Sequence, residues 1–408
     1  MGPDSGAAGR YTVISADCHA GADLRDYKPF LETRYHDAFD DWADHYVNPF
    51  ADLKKATAYR NWDSTRRMDE LEADGIVGEV LYPNTVPPFF PKSGLTALVP
   101  TATDFDYRLA GLRAHNRWMS AWCGEFPEQR AGIGQILFND LDEAVRDIHW
   151  IAENGLRGGV LLPGMPPGTP LPPLHAPEYD AVWRACAERD VIVCGHGGSS
   201  SPDYGIYPAS LSLWLMETSW FSHRVLWTLI LSGVFDRFPR LRLVMAEQGS
   251  GWIADALDVM DQFYQQLAAG NVGELRFLEP CLLERLPSEY WATNCFVTAS
   301  FMHREDCLQR ARIGVDHIMW GSDYPHLEGT SPFSDAAIRL TFAGIEPSEV
   351  QAMLGGNAAA LYGFDMEHLG RLAATCGPRV DAVAAGLDAV PEGAQSMAFR
   401  QRPPINVS

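Results

Sequence analysis

Short runs of apolar, often β-branched residues alternate along this chain with longer stretches whose apolar positions recur at helical spacing. Eight short runs stand in order: Tyr11–Ala16, Ile76–Tyr82, Ala131–Phe138, Leu156–Leu162, Asp190–Gly195, Leu241–Ala246, Cys295–Ala299 and His317–Gly321. Runs this short and this continuous suit parallel strands covered on both faces. Between them lie helix-like segments. One opens at Asp140 and Asp142 and continues through Trp150, one runs from Pro177 to near Arg189, and two longer ones cover Phe221–Phe235 and Gly251–Leu267. Alternating strand and helix predicts βαβ units. Eight of them is the count of a (β/α)₈ TIM barrel, an α/β fold. An open doubly wound sheet would need a glycine-rich phosphate turn after its first strand; Ala16-Asp17-Cys18-His19 stands there instead.

The pattern divides the chain into a Gly/Ala/Pro-rich leader expected to be disordered (1–10), a barrel with long loops (11–365) and a C-terminal helical extension and tail (366–408). The extension holds a helical stretch near Val380–Ala389, then Pro391 and Gly393. It could wrap the barrel or a neighbouring subunit, which leaves a homo-oligomer open. The 408 residues are 46% hydrophobic, enough for a large core, yet no run of 18 apolar residues occurs, so no membrane span is expected. The first ten residues lack the apolar core of a signal peptide, so the expected location is the cytoplasm. The eight cysteines form no C-x-x-C pair and read as buried thiols. A net charge of −21 argues against nucleic acid and anionic membranes as partners. Lys54, Lys55, Arg60, Arg66 and Arg67 still make a local basic patch.

Barrel chemistry is built at the C-terminal strand ends. Reading those ends gives Asp17 and His19 after the first run, His196 after the fifth, Glu247 after the sixth and Asp323 after the eighth. Asp17 and His19 are two apart in extended chain, so both can point one way while Cys18 points into the wall. Each residue alone has a plain structural reading: a hydrogen-bonded histidine, a helix-capping carboxylate. Together they would crowd uncompensated negative charge at one mouth, which a divalent cation, or two, relieves. These five are therefore the candidate metal ligands. His223 and His326 are candidate acid–base groups or supporting donors, and Glu247 joins them as a catalytic candidate. His303 and His317 read as structural.

The ordered set Ser15-Ala16-Asp17-Cys18-His19, Gly195-His196-Gly197-Gly198, Ser232-Gly233-Val234-Phe235-Asp236-Arg237-Phe238-Pro239 and Trp320-Gly321-Ser322-Asp323-Tyr324-Pro325-His326 resembles the amidohydrolase-related TIM barrels. Within them it is similar to the group of aminocarboxymuconate-semialdehyde and γ-resorcylate decarboxylases, over roughly Tyr11 to Phe364. One segment departs. Where those decarboxylases usually carry a histidine after strand six, this chain has Glu247, and Ser250 stands in place of their acid. With Asn61-Trp62-Asp63, the Pro83–Phe90 segment and Glu247-Gln248-Gly249, the chain resembles more narrowly the TIM-barrel nonheme diiron monooxygenases of platensimycin/platencin-type diterpenoid biosynthesis. That resemblance implies two Fe ions, O₂, an electron donor and hydroxylation of a bulky acyl-CoA substrate in antibiotic biosynthesis.

The ligand chemistry fits iron or manganese and does not exclude zinc. Long apolar loops, Asn84–Pro91, Pro163–Pro167 and Tyr204–Tyr207 with Trp214, Trp220 and Phe221 after it, suggest a hydrophobic substrate. The expectation is thus a diiron monooxygenase. A metal-dependent hydrolase or non-oxidative decarboxylase is the alternative, and a non-catalytic metal-binding barrel is a second.

Overall fold

The computed structural model describes residues 9–92, 96–270, 273 and 282–400. Eight strands, β1 (Ile14–Ala20), β2 (Gly78–Pro83), β3 (Arg130–Gln135), β4 (Gly159–Leu161), β5 (Val193–His196), β6 (Leu243–Ala246), β7 (Cys295–Ser300) and β8 (Ile318–Gly321), lie side by side in chain order. Each pairs in parallel with the next. The seam between β8 and β1 is drawn together by Cys18 bridging to Tyr324. There the His19 N–H donates to the Tyr324 carbonyl (2.7 Å) and the Asp323 N–H to the Asp17 carbonyl (2.9 Å). The result is a nearly closed (β/α)₈ barrel.

The strands read as continuous apolar runs because both their faces are buried. Ile14, Ala16, Val80, Tyr82, Ile133, Cys194, Val244 and Met319 share one apolar cluster, while alternate residues such as Val13, Leu81, Val193 and Val297 belong to the larger cluster with the helices. The helix Leu141–Glu153 shows how the outer ring is specified. Asp140 caps it by accepting from the N–H groups of Asp142 and Glu143, both at 3.0 Å. Its buried stripe is Ala144, Ile148 and Ile151, at helical spacing.

Beyond β8 the chain turns back under the barrel. Tyr362, Leu369 and Ala373 join the inward-facing strand residues, and Leu369 lies against Gly78, the first residue of β2. The expected leader falls outside the described residues except for Gly9 and Arg10. Gly9 accepts from the Val380 N–H (2.9 Å), and Tyr11 donates to Pro378 (2.9 Å). The C-terminal helix covers Val380–Ala385 and stops at Gly386, whose φ of 83° leaves the helical region. No helix among the described residues is long and apolar enough to cross a membrane.

Several elements differ in their bounds from the pattern-based expectation, the first strand and the helix after β5 among them. The first strand starts at Ile14 rather than Tyr11 and runs on through Asp17 and His19. The helix expected from Phe221 begins at Ser210. Its first turns are apolar on all sides, so they show no amphipathic period by which to recognise them.

Candidate metal centre

The first two donors owe their aim to a bulge. Ser15 pairs with Glu79 and Cys18 with Leu81, so three steps on β1 match two on β2. One extra residue reverses the side-chain parity. Before it, Ile14 and Ala16 face the barrel interior. After it, Cys18 and Ala20 face outward, and Cys18 Sγ reaches Ser15 Oγ at 3.1 Å. Asp17 and His19 therefore both point inward. Behind them Arg67, fully buried, bonds Glu79 at 2.6 Å and donates to the His19 carbonyl at 2.8 Å; Arg130 completes the ionic cluster on Glu79. Arg67 thus leaves the expected basic patch at the mouth, because its charge is used inside the wall.

The remaining donors sit on strained or crowded strand ends. Glu247 follows β6 with φ 53° and Asp323 follows β8 with φ 59°, left-handed backbone that side chains disfavour and that clusters at functional sites. Gly197 after β5 must be glycine, since a Cβ there would stand 2.5 Å from the Glu247 carbonyl oxygen. Gly321 is equally confined, with Asp17 Cβ and Ser300 Oγ each 2.7 Å from where its Cβ would be.

These elements converge five side chains. His19 Nε2 lies 3.4 Å from Asp17 Oδ1, 3.2 Å from Asp323 Oδ1 and 3.9 Å from Glu247 Oε2. His196 Nε2 lies 3.5 Å from Asp17 Oδ1 and 3.3 Å from Glu247 Oε2. Two outer faces are tied down. His196 Nδ1 donates to the Gly197 carbonyl (3.0 Å), and Ser300 donates to Asp17 Oδ2. The inner atoms are not: Asp17 Oδ1, His19 Nε2, His196 Nε2 and Asp323 Oδ2 are buried without hydrogen-bond partners. Buried polar atoms are rarely left so. Oriented nitrogens and oxygens facing one point fit a cation, and His196 makes the second-nitrogen bond that metal-ligating histidines usually show, whereas His19 Nδ1 is buried without a partner. Asp17, His19, His196 and Glu247 form one donor group, and His19, Asp323 and His326 a second.

Charge follows the same geometry. Burial alone would raise Asp17 and Asp323, but the histidines beside them outweigh it and hold both carboxyls below their usual range. Burial, then the negative charge of Asp323, pushes Glu247 up to about 8. His326 is pushed up to about 10 against the opposing effect of burial, chiefly by Asp323, whose Oδ1 accepts from its Nδ1 at 2.8 Å. Its Nε2 meets Asn84 Oδ1 at 3.1 Å. Both ring nitrogens thus face acceptors.

The site opens into a cavity of about 410 Å³ whose wall includes Lys55, Asn84, His326, Glu328, Phe50 and Leu327. This wall is more polar than the loops suggested. Val86 and Phe90 pack into a separate cluster with Leu109 and Leu112, and Trp220 lies on an exposed helix face. His223 belongs to neither donor group; its ring stacks on Trp252 at 3.6 Å, and burial pulls its pKa down to about 4. His317 bonds the Cys295 carbonyl at 2.8 Å, a structural role. Sequence reasoning passed over Ser300, because the seventh run was ended one residue early. It also passed over Tyr82, whose ring lies 4.5 Å from that of His196. The rule that chemistry gathers at strand ends could have found Ser300.

The amidohydrolase family model matches residues 17–364. The chain belongs to the amidohydrolase family. It is 24% identical over 228 residues to the γ-resorcylate decarboxylase of Rhizobium sp. (strain MTP-10005), a match covering 52% of this chain but only 65% of that protein, just under two thirds. Among solved structures, 5-carboxyvanillate decarboxylase from Sphingomonas paucimobilis aligns with a TM-score of 0.64 at 22% identity, over 86% of this chain and 99% of that one. The enzyme of the same name from Novosphingobium aromaticivorans, with bound manganese and 3-methoxy-4-hydroxy-5-nitrobenzoic acid, aligns with a TM-score of 0.64 at 21% identity, over 89% and 99%.

These similarities overturn the reading as an oxidoreductase, a diiron monooxygenase of antibiotic biosynthesis. The three relatives just named are decarboxylases, the alternative weighed from the sequence. Of the three segments of the narrower motif, Glu247 stands in the donor set, while the residues around Asn61 and Asn84 shape loops. Asp63 caps the helix Ser64–Ala73, and Asn61 accepts from Asn84 at 2.6 Å. Neither arrangement bears on O₂. What stands is an enzyme family with a donor set that fits a metal ion, and a small-molecule cavity.

Proposed function

We propose that this amidohydrolase-family enzyme is a metal-dependent, non-oxidative decarboxylase of a small aromatic carboxylate. The observation that carries the reading is the convergence of the donor group and of His326 on one cavity of about 410 Å³. That volume suits a single-ring acid rather than a bulky acyl-CoA. A divalent ion would be held by Asp17, His19, His196 and Glu247, and would supply Lewis-acid neutralisation of charge on a substrate oxygen. Two imidazoles with two carboxylates suit manganese or zinc as well as iron. One ion rather than two fits best, because the same His19 Nε2 faces both Asp17 and Asp323 and one imidazole lone pair serves one ion.

Loss of CO₂ leaves the C–C bonding pair on the ring carbon, which must gain a proton. His326 is the group placed to give it. Its Asp323 and Asn84 bonds keep it protonated near neutrality, and it lines the cavity. Lys55, on the same wall, offers positive charge to a substrate anion.

The test is turnover of ring-hydroxylated benzoates, γ-resorcylate and 5-carboxyvanillate among them, by protein loaded with Mn²⁺ or Zn²⁺. The expected result is CO₂ release at equal rates with and without O₂, with one solvent deuterium in the product when run in D₂O. Turnover that requires O₂ and a reductant, or none with any carboxylate tried, overturns the reading.

A further inference from the structure

A second cleft, of about 200 Å³, lies between the helices Phe105–Cys123 and Leu141–Glu153. Arg113, Asn116 and Arg117 line it from the first helix, and Arg146, Asp147 and Trp150 from the second. Spacings of three and four residues put each set on one helix face. None of the six belongs to the metal centre or to its cavity. Asn116 is the buried floor, donating to the Gln135 carbonyl at 2.8 Å and accepting from its N–H at 2.9 Å. The arginines are each held at one edge. Arg113 Nε donates to Asp147 Oδ1 at 2.7 Å and its Nη2 to Glu143 at 2.5 Å. Arg146 also donates to Glu143, and Arg117 Nη1 to the Phe30 carbonyl at 2.8 Å. Among the described residues, Arg113 Nη1, Arg146 Nη1 and Arg117 Nε then keep hydrogens without an acceptor. Asp147 carries the opposite need. It is only 5% exposed, and its Oδ2 is buried with no donor.

We infer that this cleft binds one free α-amino acid with an apolar side chain. Its carboxylate meets Arg117 and Arg146, its ammonium meets Asp147 Oδ2, and its side chain lies on the half-buried Trp150. The unmet groups select that chemistry. A buried acceptor left without a donor costs about 1–3 kcal/mol, and an ammonium meets it with a charge-assisted bond. Guanidinium forks match a carboxylate in the same way. Asp147 follows Arg146 in the chain and bonds Arg113, so the unmet anion and the unmet cations are within reach of one small molecule. A simple anion such as phosphate would leave Oδ2 unpaired and would sit against the charge of Asp147 and Glu143. A simple amine would face the guanidiniums. A molecule with both charges on neighbouring carbons satisfies both sides. Size points the same way, since the cleft falls below the roughly 300–1,000 Å³ of drug-sized ligand sites. Trp150 offers apolar area to the ligand's side chain.

The test is calorimetric titration of the full chain with L-phenylalanine, 3-phenylpropionate, phenethylamine and inorganic phosphate. Phenylalanine is expected to bind saturably, with a Kd on the order of 1 mM or tighter. Phenylpropionate, which lacks the ammonium, and phenethylamine, which lacks the carboxylate, should each bind at least about tenfold more weakly, as loss of one charge-assisted bond requires. Arg117→Ala and Arg146→Ala should weaken phenylalanine by a similar factor with unchanged circular dichroism, whereas Lys55→Ala, in the metal cavity, should leave it untouched. Should the arginine variants misfold, the ligand series on wild type decides by itself. No binding of phenylalanine up to about 10 mM, equal binding of phenylpropionate or phosphate, folded arginine variants that bind as wild type does, or loss of binding in Lys55→Ala overturns the inference.

Discussion

Asp17 Oδ1, His19 Nε2 and His196 Nε2 face one another with no hydrogen of their own surroundings to satisfy them. Removing one should open the ion's shell while leaving the fold, which rests on other contacts. Asp17→Asn and His196→Ala are expected to bind metal well below wild type by elemental analysis, with unchanged circular dichroism; full occupancy in both would refute the ligand set. Glu247 gives a signature in pH. Its carboxyl, pushed up to about 8 by burial and then by Asp323, is protonated at pH 7 in the metal-free protein and must lose that proton to a cation. Calorimetry in buffers of different ionisation enthalpy should show more protons released on metal binding at pH 7 than at pH 9, a difference that Glu247→Gln should shrink. The sign for stability follows. Its folded pKa lies above the ordinary value, so the folded state holds the extra proton. The metal-free protein should therefore lose stability as pH rises from the usual carboxylate range through about 8, and Glu247→Gln should flatten that decline in thermal melts.

Elements hold these residues by close approach rather than by loops alone. The bulge in β1 turns Asp17 and His19 inward, and Gly197 lets the β5 end touch the β6 end. Gly197→Ala would put a Cβ 2.5 Å from the Glu247 carbonyl, an overpacking expected to cost about 1–3 kcal/mol in denaturant unfolding and to lower metal content by displacing Glu247. Deeper in the wall, Arg67 and Arg130 share Glu79 with all three fully buried. Arg67→Met breaks the pair and removes a donor to the His19 carbonyl, so a loss of about 3–5 kcal/mol is expected in urea unfolding. A loss under 1 kcal/mol would show that Arg130 alone compensates Glu79.

At the scale of the whole molecule, the barrel explains how donors from chain positions 17 to 323 come to share one cavity. All but Asp17, midway along β1, lie near or just past the C-terminal ends of β1, β5, β6 and β8. The same frame explains the error over chemistry. Oxygenases and decarboxylases on a carboxylate–histidine site use one kind of donor, so the ligand list could not separate them. The balance was tipped by Glu247 in the place of a histidine, together with segments around Asn61 and Asn84 that turn out to fasten loops, one of which holds His326. Loop hydrophobes were misleading for a related reason. Phe90 and Trp220 are equally apolar in sequence, yet one is buried in a satellite cluster and the other projects into solvent. Only their three-dimensional neighbours tell which of them meets a substrate, a core or another subunit.

The sequence by itself determined the architecture, because burial on both faces forces each strand to be a short continuous apolar run, and eight such runs leave few alternatives. It also named the candidate donors, because a polar residue at the end of an apolar strand stands out against its surroundings. Tertiary structure decided what depends on contacts between distant segments. It decided the parity reversal at the β1 bulge, which needs the β2 register. It decided the role of Arg67, a surface cation by position and a buried one by its pairing with Glu79. It decided the protonated state of His326, set by Asp323 and by an asparagine 242 residues away in the chain. Local pattern records which face of an element is apolar; what lies across from that face is recorded only in the fold.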